Sequence, residues 1–396
     1  MREPLTFIDL FAGAGGFSLG LHQAGLKGIF AVERDIMAFS TLEHNLIRKT
    51  KAFEWPEWLP VAAADIRSVL SKHKDQLVGL KGSVDIVVGG PPCQGFSVAG
   101  RRLEHDERNQ LFKEYVKFVD LVRPRLLMFE NVPGFSYSFK ERGKSQIPYS
   151  SLLAQQLQDI GYEEPAQNIF DFSEFGVPQR RKRLIVCSVE RGGDPTKIIE
   201  LLDSNKLSRK IGVERAISDL LRNYGEIPSP DSNGFMAGLY GTVNSKFQKR
   251  MRSGVIGNAP DSHRFARHST LVKERFSEII KSTASSTEWT REYIRSLGLK
   301  KRDLTALDPS APAPTLTTLP DDYVHYEEPR ILTVREYARI QSFPDWFEFK
   351  GKYTTGGKLR ASEAPRYTQV ANAVPPKFSE IGGETLRQYR DKVGLF

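Results

Sequence analysis

Cysteine is nearly absent from this chain: its 396 residues hold two, Cys93 and Cys187. Two thiols cannot build a disulfide framework, which excludes a disulfide-stapled scaffold and leads us to expect a reducing, cytoplasmic setting. Cys and His nowhere fall at zinc-ligand spacing, so no metal site is expected. No apolar run is long enough for a transmembrane helix, and the mean hydropathy is −0.39. The opening "MREPLTFIDLFAGAGG" lacks a signal-peptide layout, and no internal repeat or long low-complexity tract follows. Acidic residues are also in deficit. There are 48 Asp and Glu against 57 Lys and Arg, a net charge of +9. That balance favours anionic partners, nucleic acid first.

What is present is a chain that is 39% hydrophobic and long enough for two or three domains. Short apolar runs alternate with amphipathic segments through the first 190 or so residues. "LTFIDLF", "GIFAVER", "VAAADI", "VDIVVGG", "RLLMFENV" and "RRLIVCSV" read as strands. "GGFSLGLHQAG", "MAFSTLEHNL" and "NQLFKEYVKFVDLVRP" read as helices, the last stopping at proline. Such alternation predicts an α/β fold with a parallel, doubly wound sheet. Ligands in such sheets sit outside the carboxyl ends of the strands, so the residues just after each strand carry the information.

After the first strand comes Gly13-Ala14-Gly15-Gly16, a glycine turn entering a helix. It departs from the Gly-x-Gly-x-x-Gly pyrophosphate fingerprint, which counts against a nicotinamide dehydrogenase. The second strand ends in Glu33, placed to accept from both ribose hydroxyls. The third ends in Asp65, placed to accept from an adenine amino group. Glycines, then acid, then acid at successive strand ends suit an adenosine-containing cofactor without a diphosphate, such as S-adenosylmethionine.

Cys93 follows the fourth strand in "GGPPCQGFSVAG". Pro91 and Pro92 fix φ on the approach, so this thiol is aimed rather than mobile. Cys187, inside "LIVCSV", reads as structural. The fifth strand ends in Glu130-Asn131-Val132, next to the cysteine loop across adjacent strands. A thiol and a carboxylic acid beside a methyl donor answer a particular chemical need. Carbon 5 of cytosine is too weak a nucleophile to take a methyl group unaided. Thiolate attack at carbon 6 makes carbon 5 enamine-like, provided ring nitrogen 3 is protonated or strongly hydrogen-bonded.

Taken together, "DLFAGAGG", "GGPPCQGFS", "RNQLF", "ENV", "FGVPQRRKR", "LTVREYARIQSFPD" and "QVANAVPP" resemble the DNA cytosine-5 methyltransferases, chiefly the bacterial restriction–modification enzymes. The resemblance implies a Rossmann-like S-adenosylmethionine-dependent methyltransferase sheet with a smaller, loop-rich target-recognition domain. It implies Cys93 as nucleophile and Glu130 as the acid holding nitrogen 3. Gln179, Arg181 and Arg183 match a Gln-x-Arg-x-Arg set whose arginines contact the cytosine carbonyl, nearby phosphate and the catalytic loop. Phe11, Gly13, Ala14, Gly16, Glu33, Asp65, Ile66, Pro92, Leu111 and Asn372 match the cofactor pocket. Gln94 and the run Ser97 to Arg108 match the loop that closes over DNA. A stacked base is out of reach of a thiol, which fits base flipping. Three departures are Arg34 where some relatives place an aromatic, Ala371 where glycine is more frequent, and a lengthened segment at 350–364.

Four spans are expected: a catalytic domain at 1–189, a target-recognition domain at 190–329, a supporting segment at 330–364, and a return to the catalytic domain at 365–396. Residues 246–275 carry eight Lys and Arg, including Arg250 and Arg267 as DNA-binding candidates, against two acids. The expected partner is duplex DNA, met by a monomer, with a cognate restriction endonuclease and no membrane. Two alternatives share the fold: a tRNA cytosine-5 methyltransferase and a non-catalytic DNA-binding homologue. The Cys-Phe-Thr triplet of tRNA relatives is absent, and both Cys93 and Glu130 are present.

Overall fold

The structure, a computed structural model, describes residues 3–92, 111–138, 140, 141, 144, 145, 147–283, 304–357, 359 and 362–393. Two compact units divide the chain. The first comprises Met1–Phe175, Arg181–Leu207 and Pro376–Phe396; the second comprises Gly176–Arg180 and Ser208–Pro375.

The first unit is built on a sheet of six strands among the described residues. These are β1 (Thr6–Leu10), β2 (Lys27–Val32), β3 (Ile86–Gly89), β4 (Leu126–Asn131), β5 (Ala166–Asp171) and β6 (Lys182–Val189). Their order is β2-β1-β3-β4-β6-β5. The first four run parallel, while β6 is antiparallel to both β4 and β5. β3 and β4 are buried at every position, as expected of parallel strands covered on both faces. Helices α1 (Gly16–Gln23), α2 (Ile36–Leu42), α3 (Ile66–Lys72), α4 (Lys74–Gly79), α5 (Leu111–Val122), α6 (Tyr149–Asp159) and α7 (Thr196–Ser204) belong to this unit. α5 turns Leu111, Tyr115, Phe118 and Val122 inward at helical spacing, and ends before Arg123-Pro124.

"VAAADI" is not a strand. Alanine has little β propensity, and the segment is instead an irregular approach whose Ala64 N–H donates to Glu33 O at 2.8 Å. It ends with Asp65 as the N-cap of α3.

The second unit contains α8 (Val213–Ile217), α9 (Lys246–Met251), α10 (Thr270–Thr283), α11 (Val334–Ile340) and α12 (Arg366–Asn372), with two short two-stranded ribbons. Ion pairs hold much of its interior. Buried Arg339 donates to Asp219 at 3.0 and 3.1 Å and to Asp345. α11 opens with a capping box, Thr333 and Glu336, and Glu336 also accepts two bonds from Arg330.

The unit bounds, at Leu207 and Pro376, differ from the expected 189 and 365 for physical reasons. After β6 the chain still belongs to the sheet unit, because Asp194 N–H donates to Tyr389 Oη and Asn205 bonds Thr385. Residues 366–372 form α12 and are tied inside the second unit: Tyr367 Oη donates to Leu332 O, and Gln369 donates to Lys350 O.

The C-terminal helix α13 (Pro376–Val393) lies directly on α1. Glycine permits this close approach. A Cβ on Gly20 would stand 2.3 Å from Pro376 O and 2.4 Å from Ser379 Cβ, and one on Gly383 2.7 Å from Ala24 Cβ. Gly20→Ala should therefore destabilise the fold by roughly 1–3 kcal/mol through overpacking. Gly79→Ala is the control: its Cβ would meet nothing within 4 Å, so the change should be neutral or stabilise by up to ~1 kcal/mol. Urea unfolding midpoints of the two variants check this. Equal shifts would contradict the packing account.

Candidate active site

Strand order places the site. The chain runs from β1 to β2 on one side, then crosses to β3 on the other, so β1 and β3 flank the topological switch point. Leu10 and Gly89 are register partners at the carboxyl ends of these strands. The glycine turn after β1 and the cysteine loop after β3 thus leave the sheet side by side. Gly89 has no room for a side chain, since a Cβ would lie 2.9 Å from Leu10 O.

The glycine turn is backbone-strained. Phe11 takes φ 61°, Gly13 φ 56° and Gly15 φ 88°; the first is costly for a residue with a side chain. Glu33 braces the turn, its carboxylate accepting from Gly13 N–H at 2.9 Å and from Asp35 N–H at 2.7 Å. Burial pushes the Glu33 carboxyl above the ordinary range, and those two backbone bonds oppose the shift. Ala14 and Gly16 are buried. Gly13, by contrast, faces open space, with nothing within 4 Å of where a Cβ would stand. Asp65 accepts from Arg67 N–H at 2.9 Å. Ile66 and Leu111 are buried as the first residues of α3 and α5, and Pro92 is half-buried. An adenosine-bearing cofactor fits this edge. A carboxylate offers about four lone-pair sites, so both acids keep acceptor capacity for hydroxyl and amino donors. Arg34 is exposed.

The second cluster lies on β4 and β6. Glu130 is 8% exposed and ion-pairs with Arg183, Oε1 to Nε at 3.0 Å. Arg181 is 3% exposed. Burial lowers the pKa of both arginines, and for Arg181 the charge of Arg183 adds to the effect. Two guanidiniums around one carboxylate leave a positive excess, suited to a carbonyl or anionic oxygen. The start of the cysteine loop meets this cluster. A Cβ on Gly90 would be 3.1 Å from Glu130 Oε2, and Asn131 Nδ2 donates to Pro91 O at 3.2 Å. Cys93, Gln94, Ser97 and Arg108 lie outside the described residues. Cys187 is fully buried, and burial pushes its thiol pKa up, as expected of a structural cysteine.

Gln179 is not at a surface. It is 0% exposed, donates to Gln341 Oε1 at 2.8 Å and accepts from Leu316 N–H at 2.9 Å. Gln341 in turn donates to Val370 O at 2.8 Å. Gln179 thus cross-ties the second unit through both ends of its amide. Asn372 ends α12, exposed, also in the second unit. The basic stretch is not one face. Lys246, Lys249, Arg250 and Arg267 are exposed. Arg252 is committed to Gly241 O at 2.7 Å, to Asp219 at 3.5 Å and to the Tyr240 ring at 4.2 Å.

One residue of this edge escapes a reading of strand ends. Asp9, inside β1, is 1% exposed and accepts from Ser18 Oγ at 2.5 Å. Burial, countered by Ser18 and reinforced by the charge of Glu33, raises its pKa from 3.8 to about 7. An acid in the middle of an apolar strand was the available signal.

Residues 5–387 match the model of the family described as C-5 cytosine-specific DNA methylase. Type II methyltransferase M.DdeI of Desulfomicrobium norvegicum is 29% identical, the match covering 99% of this chain and 90% of that one. Type II methyltransferase M1.HphI of Haemophilus parahaemolyticus is 30% identical, over 96% and 86%. A candidate DNA modification methyltransferase encoded within an E. coli prophage has a solved structure that superposes with a TM-score of 0.68. Its identity is 24%, covering 98% of this chain and 99% of its own. The Dnmt2 methyltransferase of S. pombe superposes with a TM-score of 0.53 at 14% identity, over 99% and 100%. At these identities the two structures attest the fold.

Asp9 generates a pH prediction. The native state keeps its proton up to about pH 7, whereas the unfolded chain loses it near 3.8. Its contribution to stability is therefore complete below about pH 4 and is lost as pH rises through 7. Asp9→Asn keeps a neutral side chain at every pH. The stability of wild type relative to this variant should fall between about pH 4 and pH 7 and level off above that, measured by urea unfolding. A wild type that gains on the variant as pH rises would contradict the buried, protonated Asp9.

Proposed function

This chain belongs to the family of C-5 cytosine-specific DNA methylases and is a DNA cytosine-5 methyltransferase that uses S-adenosyl-L-methionine, and from that premise we propose that it methylates a flipped cytosine within a specific duplex sequence through a covalent bond between Cys93 and carbon 6. The bound cofactor supplies an electrophilic methyl group. Phe11, Gly13, Ala14, Gly16, Glu33, Asp65, Ile66, Pro92 and Leu111 would hold it, with Glu33 accepting from the ribose and Asp65 from the adenine amino group. The Cys93 thiolate forms the sulfur–carbon 6 bond, and the displaced electron pair makes carbon 5 nucleophilic. After transfer, the proton leaves carbon 5, the double bond reforms and the thiolate is released. Glu130 hydrogen-bonds nitrogen 3 and the exocyclic amino group, with Arg183 holding its carboxylate in place. Arg181 and Arg183 receive the cytosine carbonyl and a neighbouring phosphate. Gln94 and Ser97 to Arg108 close over the DNA.

The observation that carries this reading is the meeting of the cysteine loop with Glu130, a Cβ on Gly90 falling 3.1 Å from Glu130 Oε2 beside the Glu130–Arg183 pair. Flipping follows from the chemistry, because carbon 6 is shielded inside a stacked duplex. The relatives named Type II methyltransferase support a place in a restriction–modification system, opposite a cognate endonuclease and in the cytoplasm. The second unit, which carries the exposed Lys246, Lys249, Arg250 and Arg267, is the candidate for reading sequence.

Transfer of tritiated methyl from labelled cofactor is expected on duplex DNA and not on tRNA; the reverse would reassign the substrate. Cys93→Ser should abolish transfer, since a hydroxyl is far less nucleophilic than a thiolate at neutral pH. Glu130→Gln keeps a hydrogen bond but cannot donate a proton to nitrogen 3, and it also loses its charge toward Arg183. Turnover should fall by ~10²–10⁴-fold with cofactor affinity nearly kept. A Glu130→Gln enzyme within threefold of wild type (a margin far below that ~10² floor) would move the proton-donor role to another group.

A further inference from the structure

The lengthened segment at 350–364 has a place in the second unit. Tyr353 is buried, at 7% exposure, and its ring is flanked by two guanidiniums, Arg264 at 3.6 Å and Arg366 at 4.3 Å. Its hydroxyl bonds the Asp231 carboxylate at 3.1 and 3.2 Å, the same carboxylate that pairs with Arg366. The row continues outward. Arg264 also lies over Phe235 at 4.2 Å, and Arg267 lies over Phe235 at 4.7 Å. Arg366, Tyr353, Arg264, Phe235 and Arg267 thus alternate cation and ring, each pair within cation–π range. Exposure rises along the row: Arg366 and Tyr353 are buried, Arg264 and Phe235 half-buried, Arg267 exposed.

The outer end is fixed as well. Arg267 Nη2 donates to Gly234 O. Gly234 has φ 75°, a left-handed backbone that favours glycine, and the Arg267 guanidinium lies against it. Among the described residues the other Arg267 donors bond nothing. This is a planar fork held against a ring, with donors left over, on a strongly basic stretch. Exposed Lys246 and Lys249 on α9 differ: they are point charges on free stems, which suit phosphate. A fork whose orientation is already fixed loses little freedom on binding, and its donor spacing matches guanine O6 and N7.

We propose that Arg267 reads a guanine edge in the recognition sequence, and that Tyr353 is the positioning residue that fixes it by way of Arg264 and Phe235. This rests on the reading of the protein as a sequence-specific DNA methyltransferase. The 350–364 segment then has a reason to be there, because without Tyr353 the inner half of the row has no ring between Arg264 and Arg366. A buried and a half-buried guanidinium would face each other across a void, and the chain carrying Arg267 would lose its support.

The test maps methylation by bisulfite sequencing on a duplex library with randomised sites, using the full chain. Wild type comes first: transfer to duplex DNA at a defined sequence upholds the underlying reading, and none would overturn that reading rather than the row. Arg267→Ala should then relax preference at one G·C base pair by about tenfold or more. Arg267→Lys should not restore it, because an ammonium lacks the fork. Tyr353→Ala should relax the same base pair, while Tyr353→Phe, which keeps the ring and drops only the Asp231 bond, should keep the wild-type map. Phe235→Leu, a milder change nearer the surface, should again relax that base pair and serves if Tyr353→Ala fails to fold. An unchanged map for Arg267→Ala would overturn the proposal. So would uniform weakening at all sites with a salt slope reduced by about one, the mark of a phosphate contact.

Discussion

The ion pair between Glu130 and Arg183 is the constraint on which the catalytic edge depends. It joins the last parallel strand, β4, to its antiparallel neighbour β6, at the level where the cysteine loop leaves β3. Burying a carboxylate between strands is costly unless it is matched in charge and hydrogen-bonded. Arg183 supplies the match at 3.0 Å. The sheet order does the rest, since β3 lies between β1 and β4 and brings the glycine turn, the cysteine loop and the acid to one edge. Adjacent strand ends are thus enough to bring the glycine turn, the start of the cysteine loop and the acid together.

Motif residues divide between the two units. Arg181 and Arg183 stand in the sheet unit by Glu130. Gln179, two positions earlier, is sealed inside the second unit, where Gln341 and Leu316 take its amide. Gln341 also ties down Val370 at the end of α12. "FGVPQ", "ARIQSFPD" and "QVANAVPP" thus meet through two glutamines, and the buried Arg339, Asp219 and Asp345 group locks α11 below them. These segments form one packed object.

Much of this was legible in the sequence, for definite reasons. β2, β3 and β4 are apolar runs that give way to acid, glycine and acid in turn, and buried strands leave such runs. Glu33 and Glu130 were legible because they terminate those runs. "VAAADI" misled because its alanines look apolar yet form no ladder. β5, "AQNIFD", was missed because an edge strand exposed on one side shows no clean run. Asp9 sat inside a strand, where polar residues are easily passed over, and its importance depends on burial. The eight basic residues of 246–275 were legible as charge alone. Which of them are spent on Asp219, Tyr240 or Tyr353 depends on partners distant in the chain.

The central claim is that Cys93 bonds to carbon 6 of cytosine with Glu130 activating the ring. The most direct measurement uses duplex DNA with 5-fluorocytosine at the methylated position and S-adenosyl-L-methionine present. Fluorine cannot leave carbon 5 as a proton does, so the enzyme should be trapped in a denaturation-resistant adduct, and peptide mass spectrometry should place the DNA on Cys93. Full methyl transfer to ordinary DNA with no such adduct, or an adduct on any other residue, would contradict it.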